Sequence, residues 1–284
     1  MGSGKCPLFK KGGWGDFYIK KIAISFIILF LCIWVAWLIV PESLITGHIE
    51  ESLEGGRDVK IRMAGFKKGL FYTLRIEQVL IFNTTSNQPV NDGIKPILAI
   101  QDIYVTPDLD SLLKLTPRLN FSGQLNHGTI QGYITGKRQG VVIFIAGENI
   151  QINGLPIIER TGVYGDGILG FNYQNKDQKG EVKFSIDDAK LKGALTGINV
   201  LPLIVFRNVK GLLTMEDTIT VNSLAMEGAG IYARMKGIIE KNDFHGDIEI
   251  MMDSSFDLYP VLQPLLERYK ISAGYYVIPY NKKI

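Results

Sequence analysis

The chain of 284 residues, 46% of them hydrophobic and 10% aromatic, is long enough for a membrane anchor followed by one domain with a buried core. Its net charge of +3 is unevenly placed: the first 40 residues carry five lysines against one aspartate, whereas the other 244 carry 26 basic and 27 acidic side chains. Because a nucleic-acid-binding surface needs an excess of basic side chains to displace counterions from phosphates, the composition excludes nucleic acid as an expected partner.

The first predicted element is a membrane helix over residues 22–40. These 19 residues carry no charge, and at 1.5 Å per residue they approach the roughly 30 Å thickness of a bilayer core. The run is longer than the apolar region of a cleaved signal peptide, and no polar stripe marks it as a buried helix of a soluble protein. The residues that we assign to the membrane anchor are Ile22, Phe26, Leu29, Leu31, Trp34, Trp37 and Val40.

The charges on the two sides of this run predict its orientation. Lysines precede it and glutamates follow it, which predicts a cytoplasmic N-terminus and an exported C-terminal part. Beyond the run, Ile45, Ile49 and Leu53 recur at a spacing of four and predict a short amphipathic helix. The expected organisation is a cytoplasmic tail at 1–21, a transmembrane helix at 22–40, an amphipathic exit helix at 41–56 and a periplasmic β-rich domain at 57–284.

From Val59 onward the apolar residues recur with a period of two, which is typical of strands with one buried face. The clearest case is Val182, Phe184 and Ile186, which alternate with polar residues and form a candidate apolar sheet face. Further strands are predicted at 72–82, 97–105, 119–124, 129–134, 141–146, 162–173, 218–222, 231–239 and 244–252, with helical segments at 110–115 and 255–269.

The spacing between these strands is too short for crossover helices. We therefore expect a mainly β protein, in which the N-terminal transmembrane helix is followed by a curved, mostly antiparallel sheet with a few short helices. Alternation shows that one face of the sheet is apolar, but it does not tell whether that face is packed or open.

A search for catalytic patterns gives weak candidates. Residues 165–170 fit a dinucleotide-binding glycine pattern, but the chain after them reads as strand rather than helix. Ser111 and Lys114 have a spacing found in acyl enzymes without its companion motifs, and the carboxylates of Asp108 and Asp110 suit helix caps. The three histidines, His48, His127 and His245, are far apart. We expect no enzymatic activity, no catalytic residue, no cofactor and no metal.

Glycines bracket several strands, as in Gly128 to Gly132 and Gly193 to Gly197. Together with this pattern, three segments resemble the type II secretion system protein N family in its signal-anchored form. They are residues 38–53, which contain the end of the apolar run, Pro41 and the exit helix; residues 103–115, read as IYVTPDLDSLLKL; and residues 126–132, read as NHGTIQG. AsmA-like β-rich envelope proteins share these features more distantly.

The resemblance implies a single-pass component of the bacterial inner membrane, with its β-rich domain in the periplasm, that supports protein export by structural contacts. The partners expected from it are other type II secretion components and the inner membrane. The alternative is an AsmA-like module that binds or transfers lipid, in which the apolar sheet face would hold phospholipid. An envelope hydrolase is a third hypothesis, with the least support from the residues.

Overall fold

The structure is a computed structural model that describes residues 14–54, 59–83, 96–114, 116–137, 140–159, 163–176, 179–193, 202–240 and 243–283. Helix α1 runs over Trp14–Ile39, and α2 over Glu42–Glu54. Within the described residues, no single helix meets the length and hydropathy of a membrane span. Leu31–Ile39 and Glu42–Glu51 meet both together as a pair bent by 85°. The transmembrane assignment of residues 22–40 therefore stays a prediction.

The remainder of the described chain is dominated by one sheet of 14 strands. These are β1 Val59–Lys68, β2 Leu74–Asn83, β3 Leu98–Pro107, β4 Arg118–Leu125, β5 Gly128–Lys137, β6 Gly140–Gln151, β7 Tyr164–Lys176, β8 Lys179–Lys192, β9 Phe206–Met215, β10 Ile219–Gly228, β11 Ile231–Glu240, β12 Asp243–Met252, β13 Lys270–Ser272 and β14 Tyr275–Lys283.

Every strand pairs antiparallel with its neighbours, in the order β1 to β12, then β14 and β13. The prediction of a mainly β, antiparallel protein with a few short helices is confirmed. Short connections explain the sequential order, because a strand that turns back within a few residues pairs most easily with the strand it has just left. Strands β9 and β13 were not predicted.

The helices inside this domain are short. They are α3 Leu109–Leu113, α4 Pro156–Glu159 and α5 Tyr259–Leu266, together with one-turn 3₁₀ helices at Leu70–Tyr72, Leu203–Val205 and Glu267–Tyr269. Helix α5 carries a proline in its first turn and Pro264 inside, as expected of an irregular helix within the predicted segment 255–269. Helix α4 and the turn at Leu203–Val205 were not predicted.

A sequential antiparallel sheet has two ends, and the connections alternate between them. We call the end that carries the β1–β2 turn the anchor-side end, because this turn contacts α1, and the opposite end the distal end. The connections from β6 to β7, β8 to β9 and β12 to β13 all leave at the distal end. They carry α4, the turn at Leu203–Val205 and α5, so these three segments all belong to the same end of the sheet.

Candidate functional site

The strand register places the apolar side chains of successive strands on one face, which we call the apolar face. One row across it contains Phe171, Phe184, Leu224, Met235, Ile248 and Ile278, each opposite the next or separated from it by a glycine. The neighbouring row contains Leu169, Ile186, Val209, Met226, Ala233, Ile250 and Tyr276. Since side chains alternate between the two faces of a strand, the intervening polar residues lie on the opposite, polar face.

Aromatic rings on the apolar face lie across glycines of the adjacent strand. A Cβ atom on Gly211 would stand 2.0 Å from the Phe184 ring, and one on Gly147 would stand 2.3 Å from the Phe171 ring. Both distances are far below van der Waals contact, so the rings occupy the space that a side chain would need. This contact gives the glycines in these strands a structural reason, and it leaves each ring packed against backbone.

The distal half of the apolar face is covered by the distal connections. Leu203 and Phe206 pack there, and Phe256, Leu262 and Leu266 from the α5 segment join the same buried cluster. The side chains of Phe206, Ile250 and Tyr276 have no exposed surface at all. A second cluster lies against α4 and contains Leu125, Ile130, Ile150 and Leu155. The distal half therefore forms the core of the domain.

The anchor-side half of the apolar face between β4 and β9 is not covered in this way. Leu119 is 46% exposed, Ile134 is 39% exposed and Val141 is 55% exposed, although all three lie on the apolar face. Their neighbours toward β9 are half-buried. We call this surface the apolar strip, and its members are Leu119, Ile134, Val141, Ile143, Tyr173, Val182 and Leu213.

The candidate apolar face from the sequence lies at the border between the two halves. Val182, Phe184 and Ile186 are half-buried on β8, while Glu181 and Lys183, on either side of Val182, are exposed. Phe184 and Ile186 pack against the buried cluster, whereas Val182 lies in the apolar strip. The strand thus passes from the core of the domain to uncovered apolar surface.

The candidate anchor residues lie along α1 and just after it. Leu29 and Leu31 are more than half exposed, and Trp34 and Trp37 are half-buried. Val40 follows the last residue of the helix and is 38% exposed. The remaining two positions, Ile22 and Phe26, belong to the same helix.

The polar face carries an arrangement of arginine and aromatic side chains that the sequence analysis did not identify. The Arg118 guanidinium lies 3.7 Å from the centre of the Tyr133 ring, and Tyr133 stacks on Phe144 with their centres 5.4 Å apart. Arg118 Nε also donates a hydrogen bond of 3.0 Å to Asn120 Oδ1. No carboxylate of the described residues lies within salt-bridge distance of this guanidinium.

These side chains line a shallow depression of about 420 Å³, which Tyr104, Ser122 and Gln131 also border. A guanidinium held by a ring and an amide keeps N–H groups with which it can bind an anion. The aromatic and polar residues alternate along β4 and β5 without any unusual spacing, so only the strand register brings them together.

The catalytic candidates have structural roles. Ser111 is buried in the middle of α3, where its hydroxyl donates to the Asp108 carbonyl oxygen at 2.6 Å and accepts the Arg118 backbone N–H at 2.9 Å. Lys114 is exposed. The Asp108 carboxylate accepts the Asp110 backbone N–H at 3.2 Å, a capping contact at the start of α3.

The glycine pattern at 165–170 lies inside β7, so it does not open a helix where a pyrophosphate would bind. His48, His127 and His245 are exposed, and His245 Nδ1 lies at a hydrogen-bond distance of 3.2 Å from Asn281 Oδ1. Within the described residues, no three side chains of histidine, cysteine, aspartate or glutamate come close enough to share a metal ion.

The perturbed titrating groups include members of ion pairs, Asp253 beside Ser255, the buried Tyr276 and the half-buried Tyr280. A hydrogen bond from Lys67 lowers the pKa of Glu77, and a hydrogen bond to Glu216 raises the pKa of Lys179. Burial raises the pKa of the phenols of Tyr276 and Tyr280. Both ion pairs are exposed to solvent at the surface.

Comparisons with protein-family models, with curated proteins and with solved structures found no match.

Proposed function

We propose that this protein is a non-enzymatic binding scaffold of the bacterial envelope, anchored in the inner membrane by α1, with its sheet in the periplasm. The observation that carries the proposal is the apolar strip. In the anchor-side half, the apolar face of β4, β5 and β6 carries large side chains that remain 39% to 55% exposed, namely Leu119, Ile134 and Val141. In the distal half of the same face, the apolar side chains are buried. Contiguous exposed apolar surface of this kind is typical of a binding site.

The resemblance to the type II secretion system protein N family assigns this binding to protein export. In this hypothesis the strip receives an apolar segment of another secretion component, and the anchor holds the sheet at the inner membrane where that component lies. Polar residues of the opposite face, such as Lys183 and Asn172, remain in water. The contact buries side chains that the chain itself leaves exposed, which is the usual driving force of association.

A second candidate is the AsmA-like binding of phospholipid, and the shape of the strip favours it. The strip runs across consecutive strands from β4 to β9, and the Phe171 and Phe184 rings beside it pack against glycines. A long, narrow surface of aliphatic and aromatic side chains fits an extended acyl chain, which needs no polar partner along its length.

Photo-crosslinking in living cells separates these two candidates. A photoreactive amino acid replaces Val141 or Val182 in the strip, and Lys183 on the polar face of the same strand serves as the matched control. The secretion hypothesis predicts a crosslinked subunit of the secretion machinery from the strip positions. The lipid hypothesis predicts crosslinked phospholipid from the same positions. Equal crosslinking from Lys183 and Val182 would contradict both, because the apolar strip would then have no special role.

A further inference from the structure

Hydrogen bonds join the β1–β2 turn to the C-terminal end of α1. Lys68 Nζ donates hydrogen bonds to the carbonyl oxygens of Trp37 at 2.9 Å and Leu38 at 3.1 Å, and also to that of Val40. The Trp37 and Leu38 carbonyls belong to the last turn of α1, where carbonyl oxygens have no donor within the helix, so Lys68 completes its C-terminal end. In return, Trp37 Nε1 donates to the Gly69 carbonyl oxygen at 3.2 Å.

Helix α2 holds the first hairpin, formed by β1 and β2, at a defined angle to α1. It turns away from α1 by 85° and runs beside the free edge of β1. The Glu42 carboxylate accepts the backbone N–H of Lys68 at 3.0 Å, and the Glu50 carboxylate accepts that of Met63 at 2.8 Å. Two N–H groups that an edge strand would leave open are thereby paired, and the first hairpin is held at a defined orientation to α1.

The contacts of Trp37 also show which part of α1 the β1–β2 turn lies beside. The Trp37 and Tyr72 rings lie with their centres 5.4 Å apart, and the Lys68 ammonium lies 5.6 Å from the centre of the Trp37 ring. Trp37 precedes Val40, the end of the uncharged run, by three residues, or about 4.5 Å of helix. The turn at Gly69–Tyr72 therefore reaches back beside the last turn of the run instead of standing clear of it.

The side chains around this junction have the character of a membrane interface. Leu70 at the tip of the turn is 60% exposed, Ile39 is 74% exposed and Leu44 in the first turn of α2 is 65% exposed. Tryptophan, tyrosine and lysine, the residue types of Trp37, Tyr72 and Lys68, are those that anchor proteins at the boundary between headgroups and acyl chains.

We propose that the β1–β2 turn is a second membrane contact, seated in the interfacial layer of the same bilayer that α1 crosses, with Leu70 inserted among the lipids. This inference rests on the proposed membrane span of α1. It implies that the first hairpin of the sheet stands end-on against the membrane surface, so that the anchor and the sheet move as one unit.

The test uses the full-length chain in vesicles of phosphatidylethanolamine and phosphatidylglycerol. Cys6 and Cys32 are replaced by serine, and a fluorophore is attached to one new cysteine at a time: Leu70→Cys for the turn, Leu29→Cys for the anchor and Ile238→Cys for an exposed apolar position on β11. We expect a lipid-borne quencher to act several-fold more strongly at position 70 than at position 238, and aqueous iodide to act several-fold less strongly.

The outcomes separate this inference from the proposed anchor. If the label at position 29 is quenched from the lipid while the label at position 70 behaves like that at 238, the turn does not touch the membrane and only this inference falls. If iodide quenches the label at position 29, the membrane span is wrong, and the inference falls with it.

A second variant tests the hydrogen bonds from Lys68 to the end of α1. Lys68→Met keeps the apolar stem but removes the donor to the α1 carbonyls. We expect it to reduce lipid quenching at position 70 at least twofold and to leave that at position 29 unchanged. Unchanged quenching at position 70 would contradict the role of Lys68 in seating the turn.

Discussion

On the apolar face, the distal half and the anchor-side half between β4 and β9 have the same alternating sequence pattern and opposite environments. In the distal half, Phe206, Ile250 and Tyr276 are completely buried under connections that carry helical turns. In the anchor-side half, Ile134 and Val141 occupy equivalent positions on their strands and remain exposed. The difference follows the connections, because those that carry α4, the turn at Leu203–Val205 and α5 pack onto the sheet from the distal end. Whether an apolar strand face is buried thus depends on the connections that pack against it and not on the strand's own sequence.

The largest expected effect is the difference in the free energy of unfolding that is lost by a substitution in each half. Phe206→Ala should lower the free energy of unfolding by about 3–5 kcal/mol, because it removes a fully buried ring and leaves a cavity. The matched change Val141→Ala in the strip should cost no more than about 0.5 kcal/mol, as for other exposed positions. Denaturant unfolding measures both. A cost for Val141→Ala close to that for Phe206→Ala would show that the strip is covered.

The glycine contacts give the next largest effect. Gly211→Ala places a methyl group 2.0 Å from the Phe184 ring, so we expect a loss of about 1–3 kcal/mol from overpacking. Gly170→Ala on β7 is the control, because the nearest atom to its Cβ would be Ser185 Oγ at 3.6 Å. The double variant Gly211→Ala, Phe184→Leu should recover part of the loss. Equal destabilisation by the two alanine variants would contradict the ring-over-glycine packing.

A smaller, pH-dependent effect is expected in the covered half. Burial raises the pKa of Tyr276 above its ordinary value of 10.0, so the unfolded chain ionises this phenol before the folded chain does. The stability that this difference in pKa contributes is fully present below pH 10.0 and is lost as the pH rises through the folded-state pKa. Tyr276→Phe should therefore weaken the loss of stability above pH 10. Alkaline unfolding curves that run parallel for this variant and the unaltered chain would contradict this account.

The smallest effect on stability is expected from polar substitutions in the strip. Val182→Thr preserves shape, but it puts a hydroxyl on half-buried surface, so it should cost about 1 kcal/mol or less. Its effect on crosslinking to the partner should be much larger, because a binding surface loses apolar contact there. Lys183→Thr on the polar face is the control for crosslinking. A loss of crosslinking in proportion to the loss of folded protein would contradict a binding role.

Alternation was sufficient to predict most of the sheet. Strands such as β8 and β11 show apolar residues at every second position. Val182, Phe184 and Ile186 lie inside β8, and the predicted strand at 231–239 lies inside β11. Strand β9 was missed because Gly211 takes an apolar-face position and Leu212 a polar-face position, which breaks the period of two. The sequential strand order was not predictable, because alternation fixes which face a residue occupies without fixing its partner strand.

The candidate site was predictable only in part, for the same reason. The sequence indicated Val182, Phe184 and Ile186 as an apolar face and left open whether that face is packed or exposed. The structure divides it, with Ile186 packed against the core and Val182 in the strip. Arg118 and Tyr133 were not identified, because they meet only through the pairing of β4 with β5.

The most direct test of the binding role is the chemical accessibility of the strip with and without its cellular surroundings. Single cysteines at Ile134 and Val182, in a chain that lacks Cys6 and Cys32, are treated with a thiol reagent in the purified protein and in intact cells. A cysteine at Ile250 is the buried control. The account predicts fast reaction at positions 134 and 182 in the purified protein, protection of both in cells, and slow reaction at 250 throughout. Reaction at 134 and 182 as slow as at 250 in the purified protein, or equally fast reaction in cells, would contradict it.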